Sequence, residues 1–283
     1  MTEGGRTVWL DGSLVPAARA ALSIDDPAVR WGEGLFETMR AEGGRVALLE
    51  RHLDRLEASA AALGLEPMPP RALMREAVAA ALAASGADPA RVRLTATPRP
   101  TLLVEAAPAP PLPAEPPPVT AVAVRGAWWP GNRLAEHKTL SYAGHRAAQR
   151  RAEAAGADHA LLLDAEGRLG EAALANVLVA AEDGPATAPA RGLLAGVARE
   201  VAIAATGARE EALPEAAWRG AREIVLTNAL AGAVSVVSVD GAPVGDGRPG
   251  ALARTIAGAL RAAWGSLPRV ERGHGGAQGT EDA

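Results

Sequence analysis

The chain has 283 residues, a net charge of −4 and 48% hydrophobic content, enough for two domains of ordinary size with a sizeable core. It contains no cysteine, which excludes disulfides and thiolate metal sites, and no metal site is expected. Its arginines are interleaved with acids instead of forming a basic run, which argues against nucleic acid as the main partner.

No uncharged apolar stretch reaches the roughly twenty residues that would span a bilayer. The first thirty residues carry Asp11, Asp25 and Asp26 without an uninterrupted apolar core and do not read as a signal peptide, so a cytoplasmic location is expected.

In chain order, TVWLDGSLVP predicts an apolar strand, an Asp-Gly turn and a return strand. Strand-like alternation around Gly43-Gly44 then gives way to helical spacing, with Leu49, Leu53, Leu56 and Leu63 on one face and Gly64 at the C-cap. PRALMREAVAAALAASG predicts a second helix, and ARVRLTATP and TLLVEAA predict two strands. Residues 107–119, APAPPLPAEPPPV, are too rich in proline for a helix or a central strand and read as a stiff linker. It separates an N-terminal domain over residues 1–106 from a C-terminal domain over residues 120–267. In the second part, TAVAVRGAWW predicts a strand and SYAGHRAAQRRAEAAGA a helix. HALLLDAEGRLGEAALANVLVAA follows as strand, turn and strand, AGVAREVAIAATGA as a helix after a glycine-containing loop, AREIVLTNALAGAVSVVSVDGAPVG as further strands, and PGALARTIAGALRAAWGSL as a closing helix. Residues 268–283 are polar and glycine-rich and are expected to be disordered. The overall reading is two α+β domains.

Lys138 is the only lysine, against twenty-eight arginines. Arginine stays protonated under ordinary conditions, whereas a desolvated lysine amine loses its proton and can act as nucleophile or base. Lys138 is therefore a candidate for amine chemistry, most simply a Schiff base with a carbonyl compound. A lysine left by chance in a biased composition is the alternative, and its neighbours decide between the two. Phe36 and Tyr142 are the only phenylalanine and tyrosine.

Five segments carry further information: RHLDRLEAS (51–59), HKTLSY (137–142), EAALANVL (171–178), GLLAGVAR (192–199) and LTNAL (226–230). Together, from about Leu10 to the last helix, they resemble the class IV (fold type IV) family of pyridoxal-phosphate enzymes, which includes branched-chain and D-amino acid aminotransferases and aminodeoxychorismate lyase. The resemblance implies a D-amino acid aminotransferase-like α+β fold, with a small N-terminal α/β domain and a larger C-terminal one. It implies pyridoxal 5′-phosphate as cofactor, Lys138 as its Schiff-base residue and catalytic base, and Tyr142 beside its phenolic oxygen. Glu171 would pair with the pyridine nitrogen, with Asn176 in the same signature, and Arg55 would hold the phosphate through its planar fork. The acids that could occupy Arg55 on its own helix face are missing, since its neighbours at three and four residues are Arg51, His52, Ala58 and Ser59. Leu194 would lie under the ring, with Gly196, Val197 and Ala198 near the phosphate at a helix N-terminus. Ala198 replaces the family's threonine, which removes one hydroxyl contact. Asn228 and Ala229 would contribute amides.

The same resemblance leans toward the lyase, which would release pyruvate and 4-aminobenzoate. WGEGLFETMR has Thr38 where branched-chain enzymes usually have glycine, EAALANVL lacks a Ser/Thr-Asn pair, and LTNAL looks lyase-like. Phe36, Thr38 and Arg93 are expected on the side of a small amino substrate, with Arg99 as an alternative carboxylate clamp. A class IV aminotransferase for branched-chain or D-amino acids is the alternative, and a non-catalytic binding protein on the same fold a second one. The family also implies a homodimer.

Overall fold

A computed structural model describes residues 5–265. The expected disorder of residues 268–283 lies outside the described residues. The first part of the chain contains β1 (Thr7–Leu10), β2 (Ser13–Pro16), α1 (Pro27–Trp31), β3 (Leu35–Glu42), β4 (Arg45–Val46), α2 (Leu49–Leu63), α3 (Arg71–Ser85), β5 (Ala90–Ala96) and β6 (Leu102–Pro108). The strands form one sheet in the order β2-β1-β6-β5-β3-β4, antiparallel throughout. One face of this sheet is core: Trp9, Met39, Val92, Leu94 and Val104 pack with Leu53 and Leu56 of α2 and Met74 and Val78 of α3. The opposite face carries Thr38, Arg91, Arg93 and Thr95, the residues alternate to that core, as a period of two requires. This face bears on the site described below.

The second part contains β7 (Pro118–Arg125), α4 (Ala143–Ala154), β8 (His159–Leu163), β9 (Leu169–Ala172), β10 (Asn176–Ala181), β11 (Gly184–Thr187), α5 (Val197–Thr206), β12 (Arg209–Glu210), α6 (Glu215–Arg219), β13 (Ile224–Asn228), β14 (Gly232–Val239), β15 (Ala242–Pro243) and α7 (Ala251–Gly265). Its sheet runs β12-β11-β10-β13-β14-β7-β8-β9, with β15 on β14. β7 pairs parallel with both β14 and β8, so the connection from β7 to β8 must cross over, and α4 is that crossover. Lys138 sits in it, just ahead of the helix. One core, including Trp218, Leu161 and Val177, fills one face, while α5 and α7 cover Leu178 and Val225 on the other.

The stretch between the sheets without regular structure is 109–117, narrower than the proline content suggested. Pro108 closes β6 opposite Ala90, and Pro118 opens β7, where the missing N–H costs no ladder bond. The segment is tied down on both sides, because Arg40 Nη1 donates to the Pro110 carbonyl at 3.0 Å and Arg261 Nη1 to that of Pro113 at 3.1 Å. Among the described residues no helix is long and apolar enough to cross a membrane.

Candidate active site

Strand β3 is paired on one side by β5 from Leu35 to Ala41 but on the other by β4 only at Ala41 and Glu42. The free edge at its start is taken by the lysine segment. Phe36 N–H donates to the Lys138 carbonyl at 2.9 Å, Leu140 N–H donates to that of Gly34 at 3.0 Å, and Leu35 bridges Thr139. The approach is close enough to need glycine: Gly34 has φ 142°, and a Cβ there would meet Leu140 Cδ1 at 2.8 Å and the Ala96 carbonyl oxygen at 2.9 Å. The backbone of WGEGLF thus fixes the lysine against the first sheet.

A cavity of about 390 Å³ opens at this junction, and all but one of the residues singled out from sequence line it, from Phe36, Thr38 and Arg93 on the first sheet to Asn228 and Ala229 on the second. Arg99 does not. A second cavity, of about 580 Å³ and lined by Arg40, Arg45, Arg261 and Trp264 among others, contains none of the motif residues.

Lys138 Nζ lies 4.4 Å from the Phe36 ring centroid and 5.4 Å from that of Tyr142, with no hydrogen-bond or ion-pair partner among the described residues. Burial pushes the amine down to about 8; the charges of Arg55 and Arg93 add to the effect, and those of Glu37 and Glu171 oppose it. Tyr142 stands at the N-cap position of α4, lines the cavity and meets Phe36 edge-on at 5.4 Å. Burial raises its phenol further above the usual range. Arg93 Cζ sits 3.8 Å from the Phe36 centroid, which orients the guanidinium over the ring.

On the opposite wall Glu171 is a buried carboxyl on β9, raised above the ordinary carboxylate range by burial against the lowering contact of His145. Asn176 Nδ2 donates to the Leu194 carbonyl at 2.7 Å and reaches Glu171 Oε2 at 3.4 Å, which ties the acid to the loop before α5. That loop comes close: a Cβ on Gly196, the N-cap of α5, would run into Asn176 Oδ1. Gly196, Val197 and Ala198, the N-cap and first two residues of α5, thus line the cavity at a helix N-terminus, where the first backbone N–H groups have no partner within the helix.

Arg55 lines the cavity, but it is not without an acid. Its Nε and Nη2 donate to Glu37 of β3 at 2.8 and 2.6 Å, and its Nη1 to the Ala195 carbonyl at 3.0 Å. This partner is not on the face of Arg55's own helix: Glu37 comes from a strand eighteen residues earlier. His52 Nδ1 contacts the same carboxylate at 2.7 Å. Burial alone would raise the Glu37 carboxyl, but the charges and hydrogen bonds of Arg55 and His52 outweigh it and hold the group at about 2.

Three further lining residues lie outside the expectations from sequence: Arg91 and Arg146, which add positive charge, and Thr227, whose buried hydroxyl has no hydrogen-bond partner among the described residues. Thr227 lies inside LTNAL and could have been found there. Arg91 shares a sheet face with Arg93, two residues on, so strand alternation could have found it.

Fold and cavity together place one buried lysine amine and one buried carboxyl in the same cavity between the two sheets. The model of the class IV amino-transferase family matches residues 34–239, and the chain belongs to that family. It is 29% identical over 269 residues, covering 88% of this chain and 93% of the relative, to a Methanocaldococcus jannaschii protein assigned as a branched-chain-amino-acid aminotransferase. It is 33% identical over 193 residues, 62% of this chain and 66% of the relative, to a bifunctional aminodeoxychorismate lyase / D-amino acid transaminase of Mycobacterium tuberculosis. A hypothetical aminotransferase from Mycobacterium tuberculosis, solved in its PLP-bound form, superimposes with a TM-score of 0.79 at 26% identity, covering 91% of this chain and 98% of that one.

Proposed function

We propose that this chain is a pyridoxal-phosphate-dependent aminotransferase whose amino substrate has a largely apolar side chain of the branched-chain kind. The observation that carries the reading is the sole lysine, with no hydrogen-bond or ion-pair partner among the described residues and a depressed pKa, in a cavity that also holds a buried acid. The cavity fits the cofactor in its own terms. An orphaned buried hydroxyl at Thr227, the glycine cradle at Gly196 and the α5 amides supply donors for a phosphate, and Glu171 supplies a buried anion for a protonated ring nitrogen.

Arg55, Gly196, Val197, Ala198, Thr227, Asn228 and Ala229 would hold the phosphate end; Leu194, Tyr142, Asn176 and Glu171 would hold the ring. When bound, the group supplies an electron sink for the negative charge left on the carbon that loses its proton. Lys138 holds and returns that proton at Nζ. Arg93 would bind the substrate carboxylate, and Phe36, Leu174 and Leu230 offer apolar surface for its side chain.

The branched-chain reading is preferred over the lyase expected from sequence because the relative so named matches over nearly the full length of both chains, whereas the lyase relative matches over 62% of this one. The lyase stays as a second reading because Thr38 lines the cavity opposite Arg93 in the β3–β5 register. The test offers the cofactor-loaded protein L-leucine, L-valine or D-alanine with 2-oxoglutarate, and separately aminodeoxychorismate. Keto acid release from the L-amino acids supports the first reading, and joint release of 4-aminobenzoate and pyruvate moves the protein to the second. Neither, together with failure to bind the cofactor, would return it to a binding protein.

The protein is further proposed to be a homodimer: Ile24, Val29 and Trp31 of one segment are 76%, 54% and 66% exposed, an apolar surface that a second copy would cover. Sedimentation showing a monomer at micromolar concentration would overturn this.

A further inference from the structure

Glu171 is a buried carboxyl whose charge is costly, and a carboxyl that takes up a proton can no longer present an anion to the cavity. Its two oxygens have different neighbours. Oε2 faces the Asn176 amide at 3.4 Å, whose shorter bond, at 2.7 Å, goes to the Leu194 carbonyl. Oε1 faces His145 Nε2 at 3.3 Å. His145 does not itself line the cavity. Its ring lies flat on Tyr142, centroids 4.5 Å apart and planes 12° from parallel, and Tyr142 in turn is wedged edge-on against Phe36. The imidazole is thus held in place by the same aromatic pair that flanks Lys138, with its Nε2 turned toward the acid.

We propose that His145 is a positioning residue that acts through Glu171: its Nε2–H donates to Oε1, favours the ionised carboxylate, and so lets Glu171 keep a proton on the ring nitrogen of the bound cofactor. The inference rests on the pyridoxal-phosphate reading above. A donor to a carboxylate stabilises the charged form, and the effect is largest where water is excluded. Of the remaining donors, Asn176 is engaged more closely elsewhere and the Leu194 backbone amide lowers the carboxyl less than His145 does, so removing His145 takes away the largest contact that favours the ionised form. Stacking alone would make His145 a prop for Tyr142, a role any flat ring could fill.

The two roles separate in one experiment. Protein loaded with pyridoxal phosphate 15N-labelled at the ring is examined by nitrogen NMR for wild type, His145→Phe, His145→Gln and Glu171→Gln. Phe keeps the stack and loses the donor; Gln keeps a donor and loses the stack. The expected result is a protonated ring nitrogen in wild type, a shift in His145→Phe that covers most of the distance to Glu171→Gln, and recovery of at least half of it in His145→Gln. In step, kcat falls more than tenfold in His145→Phe with KM changed less than threefold. A wild-type nitrogen signal in His145→Phe, or an equal loss in the Phe and Gln variants, overturns the proposal and leaves His145 as packing. Should the Phe variant not fold, the Gln variant against wild type and Glu171→Gln still decides: a signal as displaced as that of Glu171→Gln refutes it. A wild-type protein that takes up no cofactor instead refutes the function on which this inference rests.

Discussion

Replacing Glu37 by glutamine tests the buried pair that holds Arg55. The Glu37 carboxyl is 1% exposed and accepts three short contacts, from His52 Nδ1 at 2.7 Å and from Arg55 Nε and Nη2 at 2.8 and 2.6 Å. The gap between its ordinary 4.5 and its folded value of about 2 corresponds to about 3 kcal/mol of stability at neutral pH. Because the folded pKa lies below the unfolded one, this contribution is complete above about pH 4.5 and is lost as the pH falls toward about 2. Glu37→Gln removes it and also leaves the Arg55 charge half-buried beside a neutral amide, so the expected cost near pH 7 is about 3 to 5 kcal/mol. Urea unfolding of the cofactor-free protein, wild type and variant, measures it. The difference between the two is expected to shrink by about 2 kcal/mol between about pH 6 and about pH 3. A cost below about 1 kcal/mol, or a difference that does not change with pH, would refute the assignment of Glu37 as an ionised anchor of Arg55.

Three other outcomes follow from the same geometry. Cofactor uptake by the free protein requires the neutral Lys138 amine, so its rate is expected to rise with pH with a midpoint of about 8 and to level off above that; a midpoint near the ordinary 10.5, or uptake unchanged in Lys138→Ala, would contradict the buried-amine reading. Ala198→Thr restores a hydroxyl at the second position of α5, and its pyridoxal-phosphate dissociation constant is expected to fall about 3- to 10-fold, the worth of one added hydrogen bond; fluorescence titration showing no change or weaker binding in a folded variant would count against this end of the cavity as the phosphate site. Arg93→Gln is expected to raise KM for the amino acid about tenfold or more with kcat changed much less, while Arg99→Gln, outside the cavity, changes neither; the reverse pattern in steady-state kinetics would transfer the carboxylate contact to Arg99.

Much of the cavity was legible because its residues lie in contiguous segments, each of which has its own local geometry. GLLAGVAR is a loop that becomes a helix N-terminus at Gly196, and HKTLSY is the loop before a crossover helix, so a motif in one dimension became a wall in three. Contacts between segments were not legible. Glu37 sits in LFETMRAE, where alternation with Leu35 and Met39 puts it on the core face; what is not local is that Arg55 and His52 of α2 meet it there. His145 lies seven residues past Lys138 on α4, and its partner, Glu171, is set by how α4 packs over β8 and by the pairing of β8 with β9. The short elements escaped for the same reason. β11 and β12 have four and two residues and exist because a neighbouring strand offers its edge, which no propensity sum over so few residues can reveal.

The composition that singled out Lys138 also helps explain its chemistry. In a chain that uses arginine elsewhere, the groups available to line a positive wall are guanidiniums, which do not give up their protons and so present a fixed field. Arg55 and Arg93 lie close enough to Lys138 to add to the effect of burial in lowering its pKa, while Glu37 and Glu171, which would raise it, are already engaged by Arg55 and His52 and by His145 and Asn176. A second lysine in either arginine position could release its own proton and relax that field. An arginine at 138 could never supply a free amine. One lysine facing arginines is therefore the arrangement in which the amine is the group that yields its proton, and the bias in composition and the site's chemistry point the same way.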